Sequence, residues 1–223
     1  MSQCHMLQYL ARSTYPCWGH LAEAVRSAPE RLQFTRGLQE VWSVHGRSVL
    51  TAFDLSPFPV VCDLGGSSGA LAKECTALYP ECTVTVFDIP EVVQMVKEHF
   101  SFPEEGRIHF HEGDFFKDRL PEANLFILAR ILHDWSDEKC SHLLQRVYHS
   151  CTPGGGILVV ESLLDEDRRG PLTTLLYSLN MLVQTEGQER TASEYCSLIS
   201  SAGFVDFQFK KTGHTYDAIL ARK

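Results

Sequence analysis

The sequence contains no Cys-x-x-Cys pair, no basic run beyond short pairs such as Arg168-Arg169 and Lys210-Lys211, and no apolar stretch near the roughly 18 residues of a membrane span. The first absence argues against a zinc ribbon or a thiol-exchange motif. The eight cysteines, Cys4, Cys17, Cys62, Cys75, Cys82, Cys140, Cys151 and Cys196, are scattered. Cys62 sits inside an apolar run, where a reduced thiol packs as a small hydrophobe, so a reducing compartment and no bound metal are expected. The second absence, with a net charge of -8, argues against a nucleic-acid surface. The third, with no basic-then-apolar amino-terminal segment, argues against a leader or membrane anchor and makes the cytosol the expected compartment.

What is present suits one α/β unit. At 223 residues, with 44% hydrophobic and 22% charged residues, the chain is long enough to bury a sizeable core and too apolar to be disordered. Its most informative stretch is Val60-Val61-Cys62-Asp63-Leu64-Gly65-Gly66-Ser67-Ser68-Gly69, followed by a second apolar run, Val84-Thr85-Val86-Phe87, that ends in Asp88. A buried strand breaking into a glycine turn and opening a helix, with a carboxylate closing the next strand, is how α/β proteins hold a nucleoside-bearing ligand. A dinucleotide loop would place glycine where this chain has Leu64, and Asp63 just before the turn disfavours a pyrophosphate. A carboxylate at the mouth pairs with an ammonium group, while helix amino-terminal amides receive a carboxylate. An amino acid joined to a nucleoside meets both demands, and S-adenosylmethionine is such a molecule. Asp88 would then accept hydrogen bonds from ribose hydroxyls.

Strand patterns fall at Val60 to Leu64, Thr83 to Phe87, Arg107 to Glu112, Leu125 to Arg130, Ile157 to Glu161, Val205 to Lys211 and Thr215 to Ala221. Helical patterns fall at Glu30 to Phe53, Gly69 to Leu78, Glu91 to His99, Glu138 to Ser150, Leu172 to Leu182 and Ala192 to Ser201. The expected fold is an α/β, Rossmann-like, seven-stranded and mostly parallel sheet. Pro153-Gly154-Gly155-Gly156 is expected to end the helix before the fifth strand, with glycine as a left-handed cap. A short turn at Thr212-Gly213-His214 is expected to join the last two strands as an antiparallel hairpin. His109 and His111 share a strand face, but no nearby carboxylate cluster makes them a metal site.

A sheet that closes in this way resembles the class I S-adenosylmethionine-dependent methyltransferases. The set Cys62-Asp63-Leu64-Gly65-Gly66, Phe87-Asp88-Ile89-Pro90, Glu112-Gly113-Asp114-Phe115-Phe116 and Ile131-Leu132-His133-Asp134-Trp135 is similar to the small-molecule O-methyltransferases that act on phenols, and the likeness runs from Arg31 to Lys223. It implies a small hydroxyindole or phenol as substrate. By the same resemblance Gly113, Asp114 and Phe115 meet the adenine, Arg130 and Trp42 contact the cofactor, and Asp134, Asn180 and Gln184 touch the substrate. A tryptophan on a helical apolar stripe is as readily a core residue, and Asp134 is also placed to cap the following helix.

Methyl transfer from a sulfonium to a hydroxyl is an in-line displacement that requires alignment and loss of a proton. The phenolic hydroxyl has a pKa of about 10, so an imidazole near 6.5 is a suitable general base. His133, just past the fourth strand, lies on the edge where open α/β sheets bind ligands. It needs a carboxylate to accept its second ring N–H. Glu161, at the end of the fifth strand, and Glu189 are the candidates, both matching carboxylates that flank the histidine in related enzymes; Glu186 is the weaker third.

The sequence is expected to divide at residue 54, into an amino-terminal helical segment (1–54) and a catalytic domain (55–223). The family carries a further helical region ahead of this one that makes an intertwined homodimer and closes the substrate pocket. This chain matches only its joining segment, Cys4-His5-Met6-Leu7-Gln8-Tyr9-Leu10 through Leu21, and runs directly through Arg26-Ser27-Ala28-Pro29-Glu30 where the family has a longer stretch with a cofactor-contacting tyrosine. Two expectations stay open: an active O-methyltransferase, or a shortened form that binds cofactor with little turnover.

Overall fold

The computed structural model describes residues 28–100 and 106–223. The joining segment from Cys4 to Leu21, and Arg26 and Ser27 of the short junction, lie outside the described residues. The elements are α1 (Ala28–Leu50), β1 (Val60–Leu64), α2 (Ala70–Leu78), β2 (Thr83–Asp88), α3 (Pro90–His99), β3 (Ile108–Glu112), β4 (Ala123–Ala129), a single helical turn (Leu132–Asp134), α4 (Asp137–Ser150), β5 (Cys151–Glu161), α5 (Leu172–Gln184), α6 (Ala192–Ser201), β6 (Val205–Lys210) and β7 (Asp217–Arg222).

The seven strands form one sheet in the order β3-β2-β1-β4-β5-β7-β6. The first five run parallel, and β7 pairs antiparallel with both β5 and β6. β1 is buried on both faces. Val61 packs with Val41, Trp42, Val49 and Leu50 of α1 and with α2, while Cys62 and Leu64 pack with Leu143 and Leu144 of α4 and Tyr195 of α6. That two-sided burial explains a strand that is apolar at every position but Asp63. The chain winds outward from β1 to β3 and then returns to lay β4 on the other side of β1. The crevice between the carboxyl ends of β1 and β4 is therefore the point where strand order reverses, the place such sheets bind ligands.

Two local expectations are corrected. The Pro153-Gly154-Gly155-Gly156 run does not cap α4. The helix ends at Ser150, where the Cys151 N–H bonds to the Val147 carbonyl in extended backbone. Cys151 is buried and already opens β5. Its pairing then jumps from Ala123–Cys151 to Leu125–Gly156, so the intervening β5 residues loop out, with Gly154 at φ 76°. The β6–β7 connection also runs longer than Thr212-Gly213-His214, from 211 to 216, because Asp217 turns back to accept a bond from the Thr212 N–H (3.1 Å).

Candidate active site

The turn after β1 is built around two carboxylates. Gly65, at φ 66°, donates its N–H to the Phe87 carbonyl (2.7 Å) and so ties β1 to β2. A Cβ on Gly66 would lie 2.6 Å from Asp63 Oδ2 and 2.9 Å from Val86, so only glycine lets the turn close over the acid. Asp63 is 2% exposed, and its Oδ2 has no hydrogen-bond partner among the described residues. Burial, then the nearby Asp88, pushes its pKa up to about 7. A buried carboxylate oxygen left without a donor calls for a cationic or N–H-bearing ligand. Asp88 accepts from the backbone N–H groups of Ser67 (2.9 Å) and Ile89 (2.8 Å). Burial raises it to about 6, against the pull of those two bonds. Phe115 reaches the other side of the turn, close to Gly65.

Across the crevice stands His133, which is 4% exposed. Its Nδ1 meets Glu189 Oε1 at 2.8 Å, Glu161 Oε2 lies 3.7 Å from the same nitrogen, and Nε2 is 3.6 Å from Asp134 Oδ1. The two glutamates do different work. Glu161 spends Oε1 on the N–H groups of Ile131 (3.1 Å) and Leu132 (2.9 Å), fixing the turn that carries the imidazole. Glu189 holds the ring itself, and the Nδ1–H···Glu189 bond leaves Nε2 as the free acceptor of the neutral tautomer. The expected imidazole pKa near 6.5 is corrected upward. Burial alone would lower it, but Glu161, Asp134 and Glu189 raise it to about 9. Glu161 is in turn pushed up by its own burial. Nδ1 and one oxygen of each glutamate lie within 4.8 Å of one another, a spacing suited to a cation, and the imidazolium supplies that charge.

A pH dependence follows. A group whose folded pKa is raised stabilises the fold below its unfolded pKa and ceases to do so as pH climbs through the folded value. For His133 that window runs from its ordinary 6.5 to about 9. Asp63, raised to about 7, adds to the loss at the lower end. The melting temperature of the ligand-free protein should fall by about 5 °C between about pH 6.5 and pH 9. A calorimetric scan series showing a flat or rising trend across that window would contradict the assignment.

The remaining candidates are placed unevenly. Arg130, at φ 60°, stands over the Tyr216 ring (5.7 Å) with a buried Nη1 that has no partner among the described residues. Trp42 is a core residue packed on Tyr216 (5.4 Å), one ring removed from Arg130. Asp114 is engaged by Lys117 (2.7 Å) and the Phe116 N–H, which hold its pKa down. Gly113 passes so close to the Phe87 ring that a Cβ would lie 2.6 Å from it. Asp134 does not cap α4; Ser136 does. Asn180, on α5, has a buried Oδ1 without a partner among the described residues, and Gln184 ends the same helix. Glu186 faces away, paired with Lys139 (2.8 Å). His111 stacks on Phe87 (5.3 Å). Sequence reading missed Gly187, whose absent side chain lets its segment lie directly on the His133–Trp135 backbone, and Arg190. The signal for Arg190 was its place between Glu189 and the Thr191–Glu194 capping box that starts α6.

A family model described as the O-methyltransferase domain matches residues 12–205. The chain belongs to the O-methyltransferase family. It is 69% identical to the acetylserotonin O-methyltransferase of Macaca mulatta, over all of this chain and 71% of that protein; the alignment spans 245 positions, so the relative has extra residues within the matched stretch. The fold superposes with a TM-score of 0.95 on human N-acetylserotonin methyltransferase in complex with SAM, at 67% identity over 100% of this chain and 70% of that one. LaPhzM superposes at 0.88 and 25% identity, over 99% and 73% of the two chains. An O-methyltransferase must bring a methyl donor to a hydroxyl, and the crevice between β1 and β4 sets buried Asp63 and half-buried Asp88 on one side and an imidazole on the other. Among the described residues no helix is long and apolar enough to cross a membrane.

Proposed function

We propose that this chain methylates the hydroxyl of N-acetylserotonin to give melatonin, with S-adenosylmethionine as donor and His133 as general base. The observation that carries the reading is the pairing of His133 Nδ1 with buried Glu189 at 2.8 Å, opposite the unpartnered oxygen of Asp63. The donor fits the residues present: Asp63 offers its orphaned Oδ2 to the ammonium group, the unpartnered Nη1 of Arg130 suits the carboxylate, and Asp88 keeps acceptor lone pairs for ribose hydroxyls. Gly65, Gly66, Gly113 and Phe115 shape the remaining wall, with Trp42 acting through Tyr216. When bound, the donor supplies an electrophilic methyl group on a sulfonium.

Glu189 holds Nδ1–H and directs the Nε2 lone pair outward, so Nε2 takes the hydroxyl proton and Glu189 then steadies the imidazolium. Since His133 holds its own proton up to about pH 9 in the free protein, positive charge entering the crevice is what frees Nε2, by like-charge repulsion. Asp134, Asn180 and Gln184 are the substrate-side polar groups. The net charge of -8 supports a small-molecule acceptor over a nucleic acid, and the scattered free thiols support a cytosolic setting. The segment 1–54 is proposed as a helical lead-in to the catalytic domain, 55–223.

The test is incubation with N-acetylserotonin and labelled S-adenosylmethionine; mass-spectrometric detection of the labelled methyl ether supports the reading, and its absence despite calorimetric donor binding rejects it. On the same reading Asp88→Ala should weaken donor binding about 30-fold, the worth of hydrogen bonds to a charged acceptor. Unchanged affinity in that titration would remove Asp88 from the ribose.

A further inference from the structure

We infer that Arg190 is the positioning residue of this site, a single buried guanidinium that holds the His133 turn and the Glu189 segment in register; the inference rests on the general-base reading above. Arg190 is 1% exposed. Its guanidinium has five N–H donors, and all are used. Nη1 donates to the carbonyls of Leu132 (3.0 Å) and Gln188 (3.3 Å), Nη2 to the Trp135 carbonyl (2.8 Å) and Asp137 Oδ1 (2.7 Å), and Nε to the same Asp137 oxygen (2.9 Å).

The placement of the acceptors carries the argument. Leu132 and Trp135 bracket His133 and Asp134, while Gln188 and Arg190 itself bracket Glu189. One planar group therefore ties together the two backbone segments whose side chains make the 2.8 Å imidazole–carboxylate bond. Asp137, the first residue of α4, neutralises the charge from the surface, its side chain 66% exposed against 2% for Arg190. A buried ion pair is weak evidence of a stability role, since apolar replacements often fold as well. Three directed bonds onto the backbone on either side of the proposed base and its orienter, with two more to Asp137, are evidence of a geometric one. A lysine in its place would offer three donors from one point and could not span them.

The experiment is Arg190→Lys, with Asp137→Asn as a surface variant that leaves the guanidinium in place but loosens its anchor. Two readouts are taken: steady-state kinetics, and imidazole titration by NMR of the ligand-free protein, where Glu189, Glu161, Asp134 and Arg130 are the charged groups facing the ring. Arg190→Lys should lower kcat about 100-fold with both KM values little changed, and should move the His133 titration down toward that of a free histidine. Asp137→Asn should shift both readouts in the same direction by less, and it decides the matter if Arg190→Lys does not fold. A displaced titration in variants of a parent without methyl transfer would reject the catalytic reading and keep the positioning one. A parent-like titration and kcat in folded Arg190→Lys, or in Asp137→Asn should the lysine variant not fold, would overturn it.

Discussion

His133→Ala should lower kcat for methyl transfer by about 1,000-fold while leaving donor affinity close to that of the parent. The two halves of that result follow from where the side chain sits. The ring lies at the end of β4, held by Glu189 at 2.8 Å, whereas the proposed donor contacts, Asp63 and Asp88, lie at the ends of β1 and β2. Removing the imidazole takes away the proton acceptor and leaves those carboxylates untouched. It also strips the imidazolium charge facing Glu161 and Glu189, both about 1% exposed. Two buried carboxylates then face each other with Arg130 as the remaining cation near them, so one of them should hold a proton more tightly and the variant should lose stability at alkaline pH. His133→Asn, which keeps a donor toward Glu189, separates the two effects: it should recover much of the stability and none of the rate. Turnover near the parental level in either variant, measured with saturating donor, would end the general-base assignment.

The second large effect is expected from Gly187→Ala, a change of one methyl group that touches no reacting atom. A Cβ there would collide with the His133 carbonyl oxygen and would lie 2.5 Å from the Asp134 carbonyl carbon and 2.6 Å from the Trp135 nitrogen. Every one of these is backbone, so no side chain can swing aside. The segment that carries Glu189 must retreat, and Glu189 retreats with it. Overpacking of this kind costs about 1–3 kcal/mol, and loss of alignment between base and orienter should reduce kcat by about 100-fold. Denaturant melts and initial rates check both, and parental values for each would show that the two segments are free to separate.

The fold was largely legible because its central strands are buried on both faces and read as mostly apolar runs, Val61 to Leu64 and Leu125 to Leu128 among them. The glycine turn was legible because its residue types have few other uses: Gly66 is required by the approach of Asp63. The Pro153–Gly156 run misled, since glycine after a helix reads as a cap whether the chain turns there or, as here, has already entered a strand. The carboxylate that bonds the His133 ring was legible only as a choice between Glu161 and Glu189, with Glu186 a weaker third. Reach across a sheet edge admits both, and the choice falls to the backbone N–H groups of Ile131 and Leu132, which claim Glu161. The proton affinity of His133 was not legible at all. It is set by carboxylates from three separate parts of the chain, and no local pattern reports their sum. Arg190 escaped notice for a related reason: apart from Asp137, its acceptors are main-chain carbonyls, which every residue has.

Those long-range bonds also impose an order of assembly. Asp63 and Asp88 are brought together by β1 and β2, neighbours in sequence as well as in the sheet. The His133 ring has no hydrogen-bonded partner until Glu189, 56 residues later, and its turn has no clamp until Arg190, 58 residues after Leu132. Contacts that close loops of this length form late in folding. A chain emerging from the ribosome therefore has the Asp63–Asp88 pair of the proposed donor cradle in hand well before the His133–Glu189 pair of the proposed base can close.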